Sequence, residues 1–415
     1  MDGAAASLAE AVARRSYGRL VAYLVGRTRD LAAAEDALAE AFRAALETWP
    51  RDGVPRSPEA WLLTVARRAH GARERAAMRA AALAPEIARA IDEAGARAVE
   101  EADIRFPDHR LKLLFVCAHP AIDPGVHTPL MLQTVLGLDA ARIAAAFLVP
   151  PATMGQRLVR AKAKIKAARI RFATPEPPDL PERLGAVCEA IFGAYGAGWD
   201  EIGAADPRRR DLAAEGVFLA RTLVELMPNG PEAKGLLAAL LYSEARAGAR
   251  RGPGGEYVPL AEQDTGLWDL AAIAEADRLL VQAGAADRFG RFQCMAAIQA
   301  VHAARAATGR TDAVALDLLY EALPCFSPTV GVLVARAAAR AEARGPAAGL
   351  ALLDALPPER VAAYQPYWAA RASLLTRLGA DAPAQAAYRT AIRLTTDPAV
   401  RAYLAGGRRQ AAARE

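Results

Sequence analysis

The chain contains almost no segment in which Val, Ile or Thr alternates with polar residues, the pattern by which half-buried strands are recognised. Alanine, leucine and arginine are abundant instead, and all three favour helix. They occur in long segments that are separated by Gly and Pro. We therefore predict an all-α protein. Its 415 residues are enough for two or three domains, each with a core of its own.

Positive charge is concentrated in the N-terminal part. Residues 1–175 hold 26 basic and 19 acidic residues, a net charge of +7, whereas the remainder holds 26 and 28, a net charge of −2. No acidic residue occurs between Asp139 and Glu176, and three of the five lysines lie in that interval. This distribution predicts that the N-terminal part contacts a polyanion. The C-terminal part is not expected to bind nucleic acid by charge alone.

Composition shifts and Gly/Pro breaks divide the chain. The first part is expected to hold three helices, over residues 7–26, 31–48 and 58–82. The last part contains WAARASLLTRLGADAPAQAAYRTAIRL (368–394), a helix–turn–helix hairpin typical of tetratricopeptide-type arrays. The predicted segments are 1–83 (helical unit), 84–108 (acidic linker), 109–172 (second compact unit), 173–182 (Pro-rich hinge), 183–405 (helical extension) and 406–415 (basic, Ala-rich, disordered tail).

The second compact unit ends in a pattern typical of a helix-turn-helix. A short helix over 140–147 is followed by a turn at 148–150 and by a long helix that starts at Pro151 and runs towards Phe172. An apolar stripe at steps of three and four indicates the packed face of the long helix: Met154, Leu158, Ala161, Ile165 and Ala168. The first turns of such a second helix enter the major groove of DNA.

Candidate DNA contacts lie off this stripe. Arginine can bond guanine in a bidentate way, glutamine can do so with adenine, and lysines suit phosphates. The residues concerned are Thr153, Gln156, Arg157, Arg160, Lys162 and Lys164. The helix after Pro58 carries a second basic set: Arg67, Arg68, Arg73 and Arg75. Each set could instead be a charged face that is simply exposed to water.

Other kinds of site are disfavoured by the sequence. His109, Cys117, His119 and His127 fit no common zinc spacing, so we expect no metal. No nucleotide-binding, nucleophile-elbow, zinc-protease or CxxC motif occurs, so we expect no enzymatic activity and no cofactor. The four scattered cysteines indicate a reducing cytoplasm, and no apolar run predicts a signal peptide or a membrane span.

Several stretches resemble one family. EDALAEAFRAALETWP, AWLLTVARR and ARIAAAFLVPPATMGQRLVRAKAKI look like regions 2 and 4 of bacterial sigma factors of the extracytoplasmic-function (ECF) type. LPERLGAVCEAIF, LAEQDTGLWD and RGPAAGLALLDAL are similar to the subgroup with a long, tetratricopeptide-like C-terminal extension. This resemblance covers nearly the whole chain.

The resemblance implies a non-enzymatic factor that binds core RNA polymerase and directs it to promoter DNA. The matching positions for core binding are Asp36, Glu40 and Phe42. Arg67, Arg68, Arg73 and Arg75 match the surface that melts the −10 element, and Thr153, Gln156, Arg157 and Arg160 match the helix that reads the −35 element. The extension is expected to regulate the factor by binding a protein or a ligand, without a membrane partner.

The chain departs from the family at AHGARERAAM (69–78), at Arg142, where the family usually has Glu, and at YGAGW (195–199). These departures predict altered promoter specificity or regulation with the fold retained. Two other functions stay open on the residues alone. One is a one-component DNA-binding regulator whose extension senses a ligand or a protein, and the other is an α-repeat scaffold whose basic helix contacts only protein.

Overall fold

The computed structural model describes residues 16–80, 109–147, 149–199, 207–286 and 288–412. The regular structure of the described residues is helical, and their β contact is confined to an isolated bridge between Arg251 and Tyr257. The predicted all-α class is therefore confirmed. The chain forms two compact units, Met1–Ala194 and Tyr195–Glu415. The predicted acidic linker, 84–108, and the start of the first predicted helix lie outside the described residues.

The first module of unit 1 has three helices: α1 (16–28), α2 (Leu31–Asp52) and α3 (Pro58–Ala80). The Asp30 side chain caps α2 by accepting a hydrogen bond from the Ala33 amide at 3.2 Å. The sequence predicted that α2 ends before Trp49, but it continues to Asp52. Gly53 ends it, because its φ of 83° requires a residue without a Cβ.

The second module holds α4 (Arg110–Cys117), α5 (Pro124–Thr134), α6 (Ala140–Ala146) and α7 (Pro151–Ala167). Asp139 caps α6 through the Arg142 amide at 2.8 Å, and Pro150 immediately precedes α7. The prediction that α7 extends towards Phe172 is wrong. The helix ends at Ala167 because Arg169 adopts a left-handed φ of 49°, and the Ile170 amide turns back to the Ile165 carbonyl at 3.2 Å.

The two modules pack against each other within unit 1. α1 approaches the turn after α5 so closely that a Cβ on Gly18 would lie 2.4 Å from the Val135 carbonyl oxygen. The Tyr17 ring covers Gly137, where a Cβ would lie 2.9 Å from the ring. α2 also packs on α7. The helix that was expected to read DNA therefore rests on the helix that was expected to bind polymerase.

The boundary between the two units falls within α8 (Leu180–Trp199). In unit 1, the Arg183 guanidinium donates to the Phe115 carbonyl at 2.6 Å, and the Thr128 hydroxyl donates to the Ala190 carbonyl at 2.9 Å. These bonds tie the first turns of α8 to α4 and α5. The segment predicted as a hinge, 173–182, includes a turn at 177–179 and overlaps the start of α8 at Leu180.

In unit 2, most helices pack on their neighbours in the sequence, as expected for an α-hairpin array. The hairpin predicted at 368–394 is present, with a turn at Gly379 (φ 73°), and its small residues Ala384, Ala387 and Ala391 are buried with Tyr388. The helices are α9 (Pro207–Leu226), α10 (Pro231–Glu244), α11 (Leu270–Gly284), α12 (Arg291–Ala303), α13 (Arg305–Thr308), α14 (Ala313–Ala322), α15 (Val330–Arg344), α16 (Pro346–Asp354), α17 (Pro358–Val361), α18 (Gln365–Arg377), α19 (Asp381–Leu394) and α20 (Pro398–Ala412).

The C-terminal tail differs from its prediction. Disorder was expected over 406–415, but α20 continues to Ala412. Alanine, arginine and glutamine are good helix formers and extend a helix that is already packed on α19. In the described part of the chain, no helix has both the length and the apolarity that crossing a bilayer requires.

Candidate nucleic-acid and polymerase interface

Helix α7 has two chemically distinct faces. Met154, Leu158, Ala161 and Ile165 are buried, which confirms four members of the predicted stripe, whereas Ala168 lies beyond the helix and is exposed. Gln156, Arg157, Arg160 and Lys164 are exposed on the other side, and Thr153 is half-buried in the first turn. The side chains that could reach base edges or phosphates are thus held outward by a helix that is anchored along its apolar face.

One exposed apolar residue of α7 was missed by the sequence reasoning. Val159 is 67% exposed although it is a large hydrophobic residue on a helix with a well-formed buried stripe. It follows Gln156 by three positions, so both share the outer face. Apolar side chains in the major groove can contact the methyl group of thymine. Its position off the stripe was the signal that could have identified it.

Lys162 differs from the other basic residues of α7 because it forms an ion pair inside unit 1. Its ammonium donates to the Glu35 carboxylate of α2, and the two side chains are only 14% and 11% exposed. Burial raises the pKa of Glu35, and the Lys162 charge opposes that rise. In this arrangement the Lys162 ammonium pairs with Glu35 and is not available to a DNA phosphate.

A second ion pair lies one helical turn further along. Lys166 Nζ lies 2.7 Å from Asp30 Oδ2, at the residue that caps α2. Burial acts to raise the pKa of Asp30, but the Lys166 ammonium and the backbone amides outweigh it and lower that pKa below its usual value. Two lysines of α7 therefore join this helix to the first turns of α2.

The four arginines of α3 are not equivalent. Arg68 is exposed, and Arg73 is exposed in a surface ion pair with Asp36 at 3.2 Å, which contributes little stability. Arg67 is half-buried, because it donates to the Tyr23 hydroxyl and stacks 5.3 Å from the centre of the Tyr23 ring. Arg75 is also half-buried. Arg68 and Arg73 thus present the accessible positive charge of this set.

The candidate polymerase-binding residues lie on the outer side of α2. Asp36 is exposed, and Glu40 is half-buried and pairs with the neighbouring Arg43. The Phe42 ring stacks on Tyr17 with centroids 6.4 Å apart and an angle of 19° between the planes. Leu46, one turn beyond Phe42, is 52% exposed. These side chains form a mixed apolar and charged surface, a composition suited to a protein interface.

The residues weighed for zinc have other roles. Cys117 is fully buried with its Sγ 3.1 Å from Thr134 Oγ1, and burial raises the pKa of the thiol to about 12. His127 Nε2 lies 3.1 Å from the Ile122 carbonyl oxygen. Among the described residues, no group of three or more His, Cys, Asp and Glu side chains is arranged to hold a metal ion.

Comparison with known proteins supports part of the resemblance. Residues 12–73, which include α1, α2 and most of α3, match the family Sigma-70 region 2. Residues 183–284 match a family of unknown function, DUF6596. No solved structure matches the chain. The N-terminal match supports a sigma-factor-like role in transcription initiation and points to a transcription factor rather than an enzyme.

A close relative covers nearly the whole molecule. The chain is 38% identical over 392 residues to "Uncharacterized protein R00370" of Rhizobium meliloti (strain 1021). The matched region covers 94% of this chain and 92% of the relative. The chain therefore belongs to the same family as that protein.

Proposed function

We propose that the protein is a sigma factor of the ECF type, which binds core RNA polymerase through the outer side of α2 and recognises promoter DNA through α3 and α7. The observation that carries the proposal is the orientation of α7: its apolar stripe packs inward while Gln156, Arg157 and Arg160 face solvent. The region 2 match independently supports polymerase binding. An α-repeat scaffold would require neither the exposed polar face of α7 nor the match to region 2.

The packing of the two modules favours an idle state of such a factor. Elements near −10 and −35 lie about 25 base pairs apart, or about 85 Å along B-DNA at 3.4 Å per pair. A compact unit of the size of Met1–Ala194 has a radius of gyration of about 16 Å and a diameter of about 45 Å. Since α7 is held against α2, the two DNA-contacting helices lie close together. Helices α3 and α7 therefore cannot reach both promoter elements at once. We infer that promoter binding requires their separation.

Separation would also release positive charge. Lys162 and Lys166 neutralise Glu35 and Asp30 in the packed state. Once α7 leaves α2, both ammonium groups become available to phosphates. The predicted role of Lys162 in DNA binding then applies to the open state, and promoter affinity is coupled to opening.

The helical extension is proposed to regulate this opening by binding a ligand or a protein, in keeping with its tetratricopeptide-like hairpins. A one-component regulator with a sensing extension is the alternative function, since it would use the same recognition helix. The two functions differ in one measurable respect, because only a sigma factor stimulates transcription by core RNA polymerase from a promoter that core polymerase alone does not use.

Two substitutions on α7 test the assignment of base and phosphate contacts. Arg157→Ala should weaken binding to the preferred duplex by about 1–3 kcal/mol, which is about 5- to 150-fold, and should relax sequence preference. Lys164→Ala should weaken binding to all sequences alike and lower the salt slope by about one. Fluorescence anisotropy at several salt concentrations, with matched and scrambled duplexes, measures both effects.

The control is Arg27→Ala, which removes an exposed arginine of α1 outside the proposed interface. It should leave the affinity for both duplexes within about twofold of the parent. If Arg157→Ala lowers affinity for matched and scrambled duplexes equally, the assignment of Arg157 to base recognition is wrong.

A further inference from the structure

Arg246 is a buried cation at the end of α10 in unit 2. Only 5% of the residue is exposed. One amino group of its guanidinium donates to the Gln299 side chain, whereas Nη1 is buried with no hydrogen-bond partner among the described residues. A buried donor without a partner costs stability, and a buried guanidinium without a counter-charge costs more. The side chain therefore requires an explanation that the packing of the helices does not provide.

The charged groups that lower the pKa of Arg246 are positive. Arg250 and Arg305 add two guanidinium groups, and burial together with Arg250 lowers the pKa of Arg246 to about 10. His302 lies on α12 in the same cluster, and burial, Arg246 and Arg305 lower its pKa to about 4. The Glu244 carboxylate accepts from the Tyr195 hydroxyl at 2.8 Å and favours the charge of Arg250. The cluster therefore combines three guanidinium groups, those of Arg246, Arg250 and Arg305, with a carboxylate that acts on Arg250.

Arg246 and Arg250 belong to a long segment of irregular structure. Residues 245–269 join α10 to α11 and contain three short 3₁₀ turns and the isolated bridge between Arg251 and Tyr257. They are nevertheless held in place: the Asp269 amide donates to the Ala245 carbonyl at 2.8 Å, and Arg305 donates to the Ala261 and Gln263 carbonyls at 2.6 Å. Ordered segments longer than about 12–15 residues without regular structure are commonly functional.

A second buried donor belongs to this segment. Trp268 is 4% exposed, and its indole Nε1 is buried without a hydrogen-bond partner among the described residues. The Arg305 guanidinium lies 5.0 Å from the centre of the Trp268 ring, so Arg305 links Trp268 to the positive cluster. Two donors of the same neighbourhood, Arg246 Nη1 and Trp268 Nε1, are thus unoccupied.

We propose that unit 2 binds a small oxyanion, a phosphate or carboxylate group, between the 245–269 segment and α12, with the Arg246 guanidinium as its principal partner. A guanidinium offers two parallel N–H donors that match either group, and burial strengthens the charge-assisted bonds. The bound anion would satisfy Nη1 and offset the repulsion among Arg246, Arg250 and Arg305. The site is independent of the proposed role in transcription.

Isothermal titration calorimetry of the full-length protein with sodium phosphate, and separately with sodium acetate at matched ionic strength, tests the site. Saturable binding of phosphate alone assigns it to a phosphate group, and binding of acetate as well extends it to carboxylates. Arg246→Met should abolish the binding, and Arg246→Lys should weaken it at least tenfold. The matched control, Arg310→Met, removes an exposed guanidinium of the same unit and should leave binding unchanged.

Two further measurements keep the test independent of folding defects. Without added anion, Arg246→Met should be as stable as the parent or more so, since an apolar side chain of similar size removes an uncompensated charge. Phosphate should also raise the pKa of His302, measured by NMR of one of only five histidines. The proposal is overturned if neither anion binds saturably, if Arg310→Met and Arg246→Met behave alike, or if Arg246→Met is strongly destabilised without anion while the pKa of His302 does not respond to phosphate.

Discussion

Lys162→Met is expected to destabilise the packing of α7 on α2 by about 3–5 kcal/mol. The substitution leaves the Glu35 carboxylate in a site where it is only 11% exposed and where its charge has lost its partner. The pKa of Glu35 is already raised by burial, and without Lys162 it should rise further. When the pKa of a carboxyl group is higher in the folded than in the unfolded state, stability falls as pH rises from the unfolded pKa to the folded pKa. The loss of stability caused by Lys162→Met should therefore be greatest at neutral pH.

Urea unfolding at pH 7 and at pH 4.5 measures this effect. The double variant Glu35→Leu/Lys162→Met should recover most of the lost stability, because a hydrophobic pair of similar volume replaces the ion pair. Lys164→Met is the matched control, since Lys164 lies two residues away on the same helix and is exposed. Equal losses for Lys162→Met and Lys164→Met would show that the buried ion pair does not hold the modules together.

Gly18→Ala is expected to separate the two modules without altering any proposed contact with DNA or polymerase. The new Cβ would lie 2.4 Å from the Val135 carbonyl oxygen, a backbone atom that cannot rotate away as a side chain can. To remove this clash, α1 must move away from the turn after α5. We expect this to lower the stability of the packed state by about 1–3 kcal/mol or more. Because the open state carries no such cost, its population should rise by about 5- to 150-fold.

The control for Gly18→Ala is Gly185→Ala, a helical glycine of the same unit where a Cβ would meet no atom within 4 Å. That change should stabilise its helix by about 0.5–1 kcal/mol. Hydrogen exchange at the amides following α5, together with the affinity for promoter DNA, distinguishes the two variants. If Gly18→Ala speeds hydrogen exchange at those amides and yet lowers the affinity for promoter DNA, the packed state is not an idle state.

Local features of this molecule could be predicted from local sequence. The stripe from Met154 to Ile165 and the small residues of the 384–391 segment are buried as expected, because helical periodicity determines which side chains share a face. Helix ends were less predictable. Arg169 ends α7 with a left-handed φ that is uncommon for a residue other than glycine, asparagine or aspartate, so the sequence contained no stop signal.

The features that were missed depend on residues distant in sequence. Lys162 has the same local context as Lys164, but 127 positions separate it from Glu35, and no spacing rule relates the two. Leu46 fits the apolar period of α2 and is nevertheless exposed, since the helix has no partner on that side among the described residues. Arg246 is one of many arginines in the chain, and only its burial distinguishes it.

Run-off transcription tests the central claim most directly. Core RNA polymerase from the protein's own cell is incubated with genomic DNA fragments from that cell, with and without the protein, and the 5′ ends of the transcripts are sequenced. We predict a set of start sites that appears only with the protein present, shares an upstream sequence, and is reduced by Arg157→Ala. Identical transcripts in the presence and absence of the protein, under conditions in which it binds DNA, would contradict a sigma factor and favour a regulator that acts without polymerase.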